Sequence, residues 1–309
     1  SLLFVLMAFA RSAEELVLLR GVQGFVTGTV GAANALVAAS VPKKHMGYAM
    51  GVLQMGLGVG LGVGPLVGGV MADLFGYRSA FYVTGALLLF SGLLVQFWVK
   101  ENFEKPTPSS HLKTGLISKG YRVLRARGVA LVLTLRFSNQ LGRMIFLPVL
   151  PLFVQDLAAR TGAVNSFTGL IVGTTSAAMT TSAIFLGRLG DRVGHRRIVI
   201  GAALLCCLSL ALQSLVSNGW QLLILQALFG VGFGGVVPGI SALLSGLTAS
   251  DEAGVVYGLD NSISSAARTI SPMLGVWIAM AFGIRFVFGA GALLYLGAGL
   301  LALARLPRT

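Results

Sequence analysis

The chain has 309 residues, 55% hydrophobic and 11% charged, with a mean hydropathy of +0.85. That composition excludes a soluble domain and describes a polytopic membrane protein. The net charge of +13 would suit a nucleic-acid binder, but the placement of the charges, described below, excludes one.

The first segment, 1–10, is a short apolar tail that begins at Ser1 with no Met and no leader-like basic start. Further residues are therefore expected before it. Nine more apolar segments follow, at about 15–39, 46–72, 79–99, 129–155, 167–187, 197–217, 220–247, 254–281 and 285–304. Nearly all reach the roughly 20 residues that a spanning helix needs. The fold class expected is an all-α polytopic membrane protein with about ten spans. The connections are mostly short, so successive spans should lie antiparallel.

The segment at 46–72 contains GLGVGLGVGPLVGG, with Gly56, Gly60, Gly64 and Gly68 at every fourth position, Gly69 beside them and Pro65 within. On a helix these glycines form one bare stripe. In water each would cost about 1 kcal/mol of helix stability. In a bilayer the backbone has no water to bond, so the helix persists. Two readings fit: tight packing against a neighbouring helix, or a pivot that bends or slides during transport. Pro65 removes a backbone donor and should bend the rod.

Orientation follows from Lys and Arg. Alternate loops carry Lys43 and Lys44, then seven basic residues between Lys100 and Arg127, then Arg188, Arg192, Arg196 and Arg197, and finally Arg305 and Arg308. The opposite loops carry Arg11, Arg78, Arg160 and Arg285. Fifteen against four puts the first set, and the C-terminus, in the cytoplasm of a cell-membrane protein. The basic excess then faces anionic lipid, and no nucleic-acid partner is expected.

Residues 100–128 look like a cytoplasmic linker between two bundles, 1–99 and 129–309. In the second half of the linker, Leu116, Ile117, Tyr121 and Leu124 fall near one helical face among basic residues. A helix lying on the inner leaflet and a plain solvated connector both fit. The chain also repeats itself. At an offset of 207, Gly47, Gly51, Pro65, Gly68, Phe75, Gly76, Arg78 and Phe81 fall on Gly254, Gly258, Pro272, Gly275, Phe282, Gly283, Arg285 and Phe288. One residue tighter, Arg20, Gly24 and Gly28 fall on Gln226, Gly230 and Gly234. This is a duplicated bundle. Helices without a first-half copy would occupy roughly 80 residues before Ser1, completing twelve spans in two six-helix halves.

Charges within spans are costly and face a bundle interior or a wet cavity. Arg136, Asn139, Gln140 and Arg143 share one face of the 129–155 segment. Asp260, Ser264, Arg268 and Ser271 share a face of 254–281, with Asn261 alongside. The two stripes line a wet cavity or bond each other as structural glue. Asp260 is the one acid deep in a span. If Arg143 or Arg268 reaches it, the pair is a gate or a bridge rather than a free proton carrier. The excess of membrane arginines points to an anionic substrate or to acids on absent helices. Met144, Phe146 and Leu147 are candidate apolar walls for a small-molecule substrate.

Other classes fit poorly. His45, His111 and His195 lie far apart in polar loops, and Cys206 and Cys207 are adjacent in an apolar run. These make no catalytic or metal cluster. No nucleotide-binding loop is present. Neither an enzyme nor a metal or cofactor is expected.

Three stretches carry a family resemblance. GRLGDRVGHRR at 187–197 resembles the cytoplasmic loop signature of the major facilitator superfamily. LLRGVQG at 18–24 resembles its fourth-helix signature. GVGPLVGG at 62–69 resembles its fifth-helix antiporter signature. Together with the duplicated layout, the chain is similar to the drug:proton antiporter group of that superfamily, of the bacterial multidrug efflux type, with the segments as a partial third to the twelfth helix. The resemblance implies export of drug-like molecules in exchange for protons by alternating access, from a monomer. The alternative is proton-coupled transport of an organic anion or metabolite. It makes Arg20, with Gln23 a turn away, part of the proton pathway; an arginine snorkelling outward is the plainer reading. In the loop, Gly187, Gly190 and Gly194 permit a tight reversal, and Asp191 can cap a helix or pair with Arg192, Arg196 or Arg197. The resemblance implies a conformational latch there, against the alternative of a basic loop that only sets topology. The carboxylate that such antiporters often carry on the first helix is absent from this chain.

Overall fold

The computed structural model describes residues 1–27, 33, 36–37, 46–98, 128–157, 164–246 and 253–306. Among these, every regular element is a helix. In chain order they are α1 Leu2–Phe9, α2 Ala13–Val26, α3 Met46–Phe75, α4 Tyr77–Trp98, α5 Val129–Met144, α6 Leu150–Leu157, α7 Val164–Val193, α8 His195–Gln213, α9 Gly219–Gly246, α10 Ala253–Phe282 and α11 Ile284–Arg305. The linker helix expected around Leu116–Leu124 lies outside the described residues, as do His45, His111 and the basic residues between Lys100 and Arg127.

Among the described residues, six stretches are long and apolar enough to cross a membrane: Gly56–Phe75, Tyr77–Trp98, Val164–Val193, His195–Gln213, Gly219–Leu244 and Ile284–Arg305. α10 is as long as α3 but carries Asp260 and Arg268 in its middle, and it does not meet that apolar criterion. Its polar face has to be covered by protein or water rather than lipid.

The internal repeat reappears in the helix limits. α3 and α10 both run for 30 residues with a proline inside, Pro65 and Pro272. Their ends, and those of α4 and α11, differ by the same 207-residue offset. The corner between each pair is one glycine with positive φ, Gly76 at 83° and Gly283 at 104°. The backbone N–H groups of Ser79 and Phe286 close equivalent turns onto the carbonyls of Gly76 and Gly283, at 3.1 and 3.2 Å. A side chain is rarely tolerated at such a φ, which is why glycine occupies both corners.

One expected span is not continuous. The 129–155 segment divides into α5 and α6, separated by Ile145–Val149. Pro148 lacks the N–H that would have bonded the carbonyl of Met144, and its ring opposes a continuing helix. Helix resumes at Leu150, where Pro151 falls in the first turn and its missing donor costs nothing.

The chain forms two compact units, 1–108 with Asn165–Gly169, and 109–164 with 170–309. In the first, α1 packs on α2 and α4, and α3 packs on α4. Ser12 caps α2 by accepting from the Glu15 N–H at 3.2 Å, and the Glu15 carboxylate accepts from the Arg11 N–H at 2.8 Å. This reciprocal arrangement fixes the start of that helix. Also in this unit, the Asp73 carboxylate accepts from the Asn165 amide at 2.7 Å and the Ser166 N–H at 2.6 Å.

In the second unit α8 packs on α9 and α11, and α5 packs on α9, α10 and α11. Its centre is aromatic. Phe146 stacks on Phe288 with centroids 5.7 Å apart and meets Phe229 edge-on at 5.4 Å. Phe229 in turn meets Tyr295 edge-on at 5.7 Å. Phe146 is therefore a buried core residue rather than a cavity wall; Leu147 beside it is exposed and Met144 half-buried.

Candidate functional site

α5 and α10 run in the same direction, and their polar stripes meet. The Arg136 Nε donates to Asp260 Oδ1 at 2.7 Å, and its Nη2 donates to Ser241 Oγ on α9 at 2.8 Å. Arg136 is 8% exposed. One guanidinium thus ties three helices together. The sequence left Arg143 or Arg268 as the partner of Asp260; the partner is Arg136. Further along, Ser271 donates to the carbonyl of Leu141 at 3.1 Å, and the ring hydroxyl of Tyr295 on α11 donates to the carbonyl of Asn139 at 3.1 Å.

Two glycines make this packing possible. A Cβ on Gly142 would lie 2.7 Å from the Tyr295 ring. A Cβ on Gly275 would strike the carbonyl of Ile145, where α5 breaks. The break in α5 and the small residue on α10 are therefore one feature, in which bare backbone meets bare backbone.

The other stripe residues differ in surroundings. Asn139 is 1% exposed, and neither atom of its amide has a partner. Gln140 is buried, while Asn261 and Arg268 are exposed. Arg143 is half-buried with its guanidinium over the ring of Phe233, 4.6 Å from the centroid. In the first unit, Arg20 is exposed, donates to Gln23 Oε1 at 2.9 Å and lies 5.3 Å from the Phe4 ring centroid. These contacts hold Arg20 along α2 beside α1.

Among the described residues nothing lies within 4 Å of where a Cβ would stand on Gly56, Gly60, Gly64 or Gly68. Among the described residues the stripe of α3 is open at these four positions, while Gly69 meets backbone at Asn165. Pro65 and Pro272 both lie inside unbroken helix.

The tight reversal expected in the 187–197 motif is made by one of its three glycines. α7 continues through Gly187 and Gly190 to Val193, and Gly194 alone turns the chain, with φ 94° and ψ 130°. Gly190 serves a different need, because a Cβ there would lie 2.6 Å from the His195 ring. Asp191 pairs with His195 at 3.2 Å rather than with Arg192, Arg196 or Arg197. Arg196 instead donates to the carbonyl of Leu303 at 2.6 Å, anchoring the turn to the end of α11.

Sequence reasoning missed Ser241 and Phe233 on α9 and Tyr295 on α11. A hydroxyl on an apolar helix was the available signal, but only the packing says what it faces. It also missed an amide chain in the second unit. Gln226 donates to Gln213 at 3.1 Å and accepts from Thr175 at 3.3 Å, joining α7, α8 and α9. Gln226 is the repeat partner of Arg20, so the two halves put different polar chemistry at this shared position.

These features define a helical multi-pass membrane protein with an internal duplication and a buried charge network in one bundle. Residues 1–156 and 132–309 each match the Major Facilitator Superfamily, and the chain belongs to that family. It is 31% identical over 297 residues to the multidrug resistance protein MdtG of Salmonella arizonae, covering 96% of this chain and 73% of that protein. It is 32% identical over 300 residues to MdtG of Citrobacter koseri, with the same coverage. To MdtG of Proteus mirabilis it is 31% identical over 291 residues, covering 93% of this chain and 71% of that protein.

Proposed function

We propose that this protein exports small drug-like molecules in exchange for protons by alternating access across a cell membrane, with its C-terminus in the cytoplasm and as a monomer. The observation that carries the reading is similarity along nearly the whole chain to proteins named for multidrug resistance. The charge network fits it. An arginine held between a carboxylate and a hydroxyl is a tie that a proton can loosen, since protonating Asp260 removes the charge that holds Arg136. Arg20 and Gln23 belong to the proton pathway of the first bundle. Arg136, Asn139, Gln140, Arg143, Asp260, Asn261 and Arg268 form the polar lining in the second. The turn of Gly187, Asp191, Arg192, Gly194, Arg196 and Arg197 acts as an inner-side latch. Gly56, Gly60, Gly64, Pro65, Gly68, Gly69 and Pro272 supply the pivots.

The test uses the full-length protein in inverted membrane vesicles acidified inside, with drugs added one at a time. Export by exchange alkalinises the lumen on addition of a drug, and Arg20→Ala abolishes the response. Proton movement on adding organic anions or metabolites but no drug would replace efflux with metabolite transport.

A further inference from the structure

The parallel run of α5 and α10 sets their charges as rungs. The first rung is Arg136 with Asp260, opposite in sign and 2.7 Å apart. Seven residues along α5 stands Arg143, and eight along α10 stands Arg268, so the next rung lies about 11 Å away. This rung is like-charged, and Arg268 is near enough to act on Arg143 electrostatically. Among the described residues no acid pairs with either arginine. Two neighbouring cations, one of them half-buried, repel each other. An anion placed between them would relieve that repulsion.

Other details favour such a guest. Phe233 covers one face of the Arg143 guanidinium, which leaves the N–H edge to donate in the fork geometry that matches a carboxylate or phosphate. Arg268 is exposed and so can be reached. One turn before Arg143 on α5 is Asn139, a buried amide with neither atom satisfied, and such groups call for a missing partner.

We infer that Arg143 and Arg268 form a binding site for the acidic group of a small amphiphilic substrate, a carboxylate or phosphate-like oxyanion. This rests on the transporter reading above and names its substrate class. A lipid headgroup offers the same chemistry, but Arg268 sits midway along the 30 residues of α10. That is about 22 Å from either end of the helix, deep in the hydrocarbon layer rather than at headgroup level.

The experiment measures binding of radiolabelled 2-naphthoate and its neutral isostere 2-naphthamide to the full-length protein in phosphatidylcholine nanodiscs. The anion is expected to bind at least tenfold more tightly than the amide, a difference of about 1.4 kcal/mol. R268Q and R143Q should each bring the anion's affinity down to that of the amide, and R268K should retain part of the preference. R268Q alters an exposed side chain and carries the test if R143Q does not fold. Equal affinities for the two probes, or a preference indifferent to both substitutions, overturns the assignment. Competition by phosphatidylglycerol added to the nanodisc would reassign the site to lipid and also overturn it. Drug-driven proton exchange is followed in parallel on the same protein. Exchange without an anion preference leaves the efflux reading standing and removes this one. An arginine-dependent preference without exchange does the reverse.

Discussion

The Arg136–Asp260 pair gives the sharpest test of how the second bundle is held together. Asp260→Asn keeps the shape and removes the charge, leaving a guanidinium at 8% exposure without its counter-ion. Breaking a buried pair in this way costs about 3–5 kcal/mol, because the remaining charge keeps its desolvation penalty. Arg136→Gln should cost a similar amount and also deprives Ser241 Oγ of its donor. The double variant R136Q/D260N removes both charges, so its cost should fall short of the summed single costs by about 3 kcal/mol, near a hundredfold in equilibrium constant. The assay is reversible unfolding in mixed micelles, followed by tryptophan fluorescence, for all four corners of the cycle. Additivity to within about 0.5 kcal/mol would refute the reasoning. It would mean that water or another group already screens the pair.

Three further outcomes follow from the backbone. Gly275→Ala should be severely destabilising, since its methyl group meets the Ile145 carbonyl, whereas Gly60→Ala should leave unfolding unchanged or raise it by up to about 1 kcal/mol; comparing the two melts with transport by Gly60→Ala separates a pivot from mere packing. Gly76→Ala and Gly283→Ala should each cost about 1–2 kcal/mol, because both corners need positive φ, and clearly unequal costs would count against equivalent corners in the two halves. Tyr295→Phe loses only the hydroxyl bond to Asn139 and should cost about 1 kcal/mol in the same unfolding assay. Gly142→Ala, pressing on the same ring, should cost more.

Much of the architecture was legible in the residues. Span lengths follow from apolar runs, because a bilayer demands a fixed length of satisfied backbone. The duplication was visible as glycines, prolines and aromatics spaced 207 apart, and the structure repeats it to the residue in the limits of α3, α4, α10 and α11. The break in α5 was also available, since Pro148 and Pro151 stand in that segment, but the surrounding apolar run masked it. The polar faces of α5 and α10 were readable from 3.6-residue periodicity. Their partners were not.

Periodicity says which residues share a face of one helix and nothing about the axial register between two helices. Only tertiary packing decided that Asp260 stands level with Arg136 rather than Arg143, because the close approach of Gly275 at the α5 break sets how far α10 slides along α5. The same limit applies at the turn after α7, where Gly187, Gly190 and Gly194 look alike in sequence. Gly194 alone needs its φ; Gly190 needs room for a ring that belongs to the next helix. Composition and spacing thus determined a duplicated helical membrane protein and its polar faces. The identity of each charge's neighbour depends on interhelix distances that residues far apart in the chain set jointly.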